Sequence, residues 1–224
     1  MILLSVAIAP VLIIAFYIYS RDKYEKEPVG ILLKTMIAGI IITFPVILTE
    51  NLLDKYSIRL SGYVKAAYDA FIIAGFTEET FKFGALVLLI WSNKNFNEFF
   101  DGIVYAVFAS LGFAMTENIL FVFSYGMNTG ILRAFTAVPV HALLGITMGY
   151  YFSLSKFGKS KNMKYLFYSL IVPVLLHGIY DFIVFTNHPF YMLVFVPYII
   201  FLWIYGFKKM KELSLKPYKT KIKY

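Results

Sequence analysis

Hydrolysis in a confined site needs a base to take a proton from water, a donor for the developing oxyanion and a proton for the leaving group. Side chains suited to that work occur here inside apolar stretches: Glu78, Glu79 and Lys82 in one, Glu117 in a second, His141 in a third, His177 and Asp181 in a fourth. Glu78 and Lys82 are four residues apart, so one helix face can pair them. His177 and Asp181 have the same spacing, which lets the carboxylate select the imidazole tautomer. Glu78 and Glu79 lie about 100° apart on a helix and cannot address one point equally. In the favoured mechanism Glu78 or Glu79 is the general base on water, and His141 and His177 are the oxyanion or proton donors. Asp181 orients His177, and Lys82 balances the charge of one glutamate. This mechanism requires no cofactor. A metal alternative uses the same residues, with His141, His177 and a glutamate holding zinc and one position left open for water. The chain has no HExxH segment, the usual helical zinc signature.

Each residue also has a plain structural use. A single intramembrane histidine often serves only as an interhelical hydrogen-bond donor, and Glu117-Asn118 can be a packing contact. Lys82 is first of all a charge partner for Glu78. The adjacent Glu78-Glu79 is hardest to reduce to structure, because two ionised carboxylates inside lipid are costly. His188, before a proline, is assigned no role.

The elements that carry these residues follow from composition. Of 224 residues 60% are hydrophobic and 15% charged, against about half and a quarter in soluble domains. The surrounding solvent is therefore lipid. A span takes about 20 mainly apolar residues, and seven stretches qualify: 2–20, 29–50, 69–91, 99–124, 131–153, 163–186 and 190–207. The expected fold is all-α, a polytopic bundle of about seven or eight spans. Residues 1–207 would form one transmembrane peptidase domain and 208–224 a basic cytoplasmic tail. With no cysteine, disulfides and thiolate chemistry are excluded. The net charge of +8 does not point to nucleic acid, because the excess lies in short connections and the tail.

Those connections also orient the chain. The first, third and fifth, with the tail, hold 15 lysines and arginines, among them Arg21, Lys23, Lys26, Lys94, Lys156, Lys159, Lys161 and Lys164; the other three hold Lys55, Arg59, Lys65 and Arg133. The bias puts the N-terminus outside and the C-terminus in the cytoplasm of a multi-pass cell-membrane protein. At 1.5 Å per residue, Glu78, Glu117, His141 and His177 each fall roughly 10–15 Å from the outer end of their stretch. One shared cavity in the outer half of the bilayer accounts for that agreement. Small residues at Ala106, Ser110 and Ala114, and at Gly145 and Gly149 below His141, allow two helices to close around it.

In order, the motifs read Glu78-Glu79-Thr80-Phe81-Lys82, Phe113-Ala114-Met115-Thr116-Glu117, His141-Ala142-Leu143-Leu144-Gly145 and His177-Gly178-Ile179-Tyr180-Asp181. This resembles the PrsW family of intramembrane peptidases, whose pattern is EExxK, FxxxE, HxxxG and HxxxD. The turn ending Glu27-Pro28 is also similar to that family. The wider group includes the CAAX prenyl peptidases and the APH-1 scaffold of gamma-secretase. The chain departs from the CAAX type at Glu117, where those enzymes carry histidine, and at Lys82, which stands one position before their arginine. The resemblance implies a site-1 protease that trims the outer part of a single-span membrane substrate, an anti-sigma factor in an envelope-stress pathway. Rival readings are a non-catalytic scaffold for a client helix, a prenyl-protein peptidase, and a proton-coupled carrier. Carriers usually show paired repeats, and none is evident here.

Overall fold

A computed structural model describes residues 2–23, 25–158 and 162–216. Lys159, Lys161 and the tail beyond residue 216, which entered the charge bias, lie outside the described residues. Backbone groups in lipid must satisfy one another, and helices do this locally; no strand forms among the described residues. The order is α1 (Ile2–Arg21), α2 (Val29–Ser57), α3 (Gly62–Tyr68), a π-helical segment (Asp69–Phe76), α4 (Thr77–Ile90), α5 (Asp101–Tyr125), α6 (Met127–Phe135), α7 (Ala137–Phe157), α8 (Met163–Thr186) and α9 (Pro189–Ser214). Six helical stretches among the described residues are long and apolar enough to cross a membrane; α6 and α7 count as one of them. The protein is a polytopic helical membrane bundle.

Two stretches differ from a simple span. The third, expected at 69–91, is helical throughout but changes from π to α geometry at Thr77, immediately before the paired glutamates. The fifth, expected at 131–153, breaks at Thr136. The turn before it falls at Gly126 rather than near Asn128. Gly126 has φ +85, which ends α5 and which a glycine adopts without penalty. At the other end, α9 runs on through Lys208 to Ser214, carrying the first part of the expected tail as helix.

The centre of the bundle is α5 against α7. From Asp101 to Ala114 every residue of α5 is buried, as is every residue of α7 from Ala137 to Tyr150. The pairing needs glycine: a Cβ on Gly145 would press on Ser110 and the Ala106 carbonyl, and one on Gly149 would collide with the Gly102 backbone. Helices α1, α2 and α9 lie outside, with exposed residues such as Leu12, Phe16, Phe44, Leu48, Leu193 and Ile204 turned to lipid. The π segment lies along α8, where Gly178 accommodates the Phe71 ring. That close approach brings α8 up to the start of α4.

Candidate active site

Four helices deliver the seven singled-out residues to one network. On α4, the Lys82 ammonium bonds to Glu78 at 2.9 Å and to Glu79 at 2.8 Å. It also lies 3.1 Å from His141 Nδ1 on α7 and 4.2 Å from the centre of the Phe113 ring. The other nitrogen of His141 meets Glu117 of α5 at 2.9 Å. On α8, His177 is held between Glu79, 3.0 Å from Nδ1, and Asp181, 3.1 Å from Nε2. The two imidazoles stand edge to face with centroids 5.4 Å apart. Four carboxylates are thus matched by Lys82, two histidines and Arg133, which pairs with Glu117 at 2.8 Å. Buried charges persist where each has such partners.

The network has two sides. Glu78, Glu117, His141, His177 and Asp181 line a cavity of about 580 Å³; Glu79 and Lys82 do not line it. Adjacent on a helix, Glu78 and Glu79 point in different directions: Glu78 faces the cavity, while Glu79, wholly buried, holds His177 and Lys82 from behind. The cavity continues past Glu50 and Asn51 to Asp54 near the end of α2 and Asp69 at the start of the π segment. Lys65 and Ser57 hold Asp69 at that rim.

Glu78, His141 and His177 each offer a ligand atom, all within 4.8 Å of one another. Two imidazoles and one carboxylate are the protein ligands of many catalytic zinc sites, which keep a fourth position open. The donor set fits such an ion. Both nitrogens of each imidazole already have a partner, so binding would require one partner of each ring to withdraw. The Lys82 ammonium stands among Glu78, Glu79 and His141, in a corner shaped to hold positive charge.

Residues 27–204 match the PrsW family of intramembrane metalloproteases. The chain belongs to the PrsW family. Relatives named protease PrsW align with 94% of the chain. That of Clostridioides difficile is 39% identical over 216 residues and 90% of its own length. That of Bacillus subtilis is 37% identical over 213 residues and 94% of its length. That of Geobacillus kaustophilus is 34% identical over 212 residues and 91% of its length. No solved structure matches. PrsW membership makes the chain a membrane-embedded peptidase with a membrane-protein substrate, in place of a scaffold, a carrier or a CAAX-type enzyme. The metalloprotease description agrees with the Glu78–His141–His177 set, and so favours the metal alternative over the cofactor-free mechanism.

Two residues around this cavity, Glu50 and Arg133, were not given a site role above, and Asn118 keeps the structural one it was given. Glu50 lines the cavity, but in sequence it merely ends an apolar stretch. Arg133 reads as a loop cation, yet the break at Thr136 leaves it on α6, where it reaches Glu117 and Asn118. Asn118 ties the helices together, giving its amide to the Ala7 carbonyl and accepting from Arg133. His188, given no role, caps α9 by accepting from the Phe190 amide.

Proposed function

We propose that the protein cuts a single-span membrane protein close to the outer face of the cell membrane, the site-1 step that trims an anti-sigma factor in an envelope-stress pathway. The carrying observation is that the cavity lined by Glu78, His141 and His177 extends toward Asp54 and Asp69. That is the end of α2 opposite the charged turn at 21–28. With the lysine and arginine bias placing the N-terminus outside and the C-terminus inside, this is the outer end. A chain emerging there from a substrate's single span would reach the cavity.

In this reading Glu78, His141 and His177 hold a metal ion, zinc by its ligand chemistry. When bound, such an ion polarises the scissile carbonyl and makes its water a nucleophile near neutral pH. The chain's own residues do the rest. Of Asp181 and Glu79, the one that kept its nitrogen of His177 would fix that ring's orientation, and Glu117, anchored by Arg133, would do the same for His141. Lys82 holds both glutamates from behind. The apolar wall around Phe113, Val140 and Val184 limits water around the peptide.

A second reading is supported by the Lys82 ammonium, a cation already beside Glu78 and His141. In it Glu78 takes the proton from a cavity water and the two histidines stabilise the oxyanion, without metal. Purified protein in detergent, given a single-span peptide with and without chelator, separates the two. The metal reading expects chelator to abolish cleavage and added zinc to restore it. Undiminished cleavage in chelator would leave the second reading. Cuts confined to the cytoplasmic side of the span would overturn the outer-face assignment.

A further inference from the structure

A different part of the molecule has the shape and chemistry of a ligand site. Helices α1 and α9 diverge over α7 and leave an apolar groove of about 310 Å³, walled by Ile13, Ile14, Leu143, Ile146 and Trp203. The groove ends at Tyr17 and Phe207, whose rings meet edge to face at 6.3 Å. The same two side chains line a second cavity of about 420 Å³, beyond the groove, whose charged residues are Arg21, Lys23 and Lys211. No carboxylate lines it. Among the described residues, none of the three cations lies within ion-pair distance of one. Of the neighbouring acids, Asp22 is buried, Glu25 accepts from the Asn97 amide and Glu212 from the Tyr150 hydroxyl. The Arg21 guanidinium is braced by the Tyr17 hydroxyl at 3.2 Å, with its head left exposed.

We propose that this two-part cleft binds one anionic glycerophospholipid, with its phosphate among Arg21, Lys23 and Lys211 and an acyl chain in the groove between α1 and α9. The groove is walled by apolar side chains with Ile13 exposed at its edge, which suits an acyl chain entering from the bilayer. Charge complementarity at its end selects the headgroup. Three unpaired cations at a membrane boundary favour a net-negative lipid over a zwitterionic one. Tyr17, which lines both parts, supplies an amphipathic aromatic ring of the kind that favours headgroup level. The ends of α1 and α9 share the face assigned to the cytoplasm by charge bias. None of these residues belongs to the peptidase cavity.

The test is full-length protein in detergent, titrated with dioleoyl phosphatidylglycerol or dioleoyl phosphatidylcholine and read by native mass spectrometry and thermal shift. Wild type should prefer the phosphatidylglycerol by roughly tenfold or more, the scale for several cations near an anionic headgroup. The combined variant R21Q/K23Q/K211Q should lose that preference. Ile13→Trp, which fills the groove and keeps the cations, should weaken dioleoyl phosphatidylglycerol while leaving water-soluble dihexanoyl phosphatidylglycerol unchanged. If the triple variant fails to fold, Ile13→Trp carries the test alone. Equal binding of the two dioleoyl lipids by wild type would overturn the proposal. So would inorganic phosphate protecting as well as phosphatidylglycerol, or a single-span substrate peptide displacing the lipid.

Discussion

Two clusters of four carboxylates lie in this bundle, and they are managed in opposite ways. In the network beside the 580 Å³ cavity, Glu78, Glu79, Glu117 and Asp181 are answered by Lys82, Arg133 and two histidines. Where the α1–α2 turn meets the start of α5, Asp22, Glu27, Glu98 and Asp101 are all buried. Among the described residues no lysine or arginine side chain lies within ion-pair distance of their oxygens. Asp101 accepts the amides of Asn97 and Glu98 at 2.8 and 2.6 Å, and Glu27 accepts from the Tyr105 hydroxyl. The nearby Lys26 ammonium donates instead to the carbonyls of Tyr19 and Asp22. Burial raises Glu27 to about 10, aided by the facing Asp101, raises Glu98 to about 7, and raises Asp22 to about 6 against the opposing pull of Lys26. The first cluster is matched by cations; the second holds a proton on Glu27, whose bond from Tyr105 latches the turn onto α5.

The largest effect should come from removing the cation of the first cluster. Lys82→Met leaves Glu78 and Glu79 buried without their shared partner, and unfolding in denaturant should show a loss of about 3–5 kcal/mol. Unchanged stability would mean the two clusters are not managed differently. Next, Glu78→Gln should lower turnover of a single-span peptide by about a hundredfold or more, with the fold intact. The same exchange at Glu27 should leave turnover within about threefold, since it lies outside the cavity; a large loss there would join the two regions functionally. Third, His177→Ala should cost more activity than Asp181→Asn, because orienting a ligand matters less than supplying it. Equal losses would make Asp181 a direct participant.

A fourth measurement tests the latch itself. Glu27 is protonated in the folded chain up to about pH 10, whereas the unfolded chain releases that proton near 4.5. Between those values the folded state binds more protons, so stability should fall as pH rises. Asp22 and Glu98 act in the same direction, over about 3.8–6 and 4.5–7. The melting temperature should decline as pH rises from about 4.5 to 10, and the decline should flatten in Glu27→Gln. A rise with pH in wild type would contradict proton storage at this turn.

What could be read from sequence divides along physical lines. Pairs within one helix, Glu78 with Lys82 and His177 with Asp181, follow from four-residue spacing and appear in the structure at 2.9 and 3.1 Å. Contacts between helices depend on rotation and tilt, which spacing does not encode. Lys82 with His141, and Glu79 with His177, are of that kind. The π segment has no composition signal of its own, yet it immediately precedes the helix that carries Glu78 and Glu79. Arg133 was hidden by the helix break that positions it. The turn at 21–28 looked like an ordinary solvated loop because its charges are dense; folding buries Asp22 and Glu27 against α5.

The central claim is that Glu78, His141 and His177 together form the hydrolytic centre of a membrane peptidase. Its most direct test measures bound metal and cleavage of a single-span peptide on the same purified preparations of wild type, His141→Ala and Glu78→Gln. The account predicts about one zinc per wild-type chain, with metal and cleavage falling together in both variants. Cleavage by His141→Ala at the wild-type rate would contradict it.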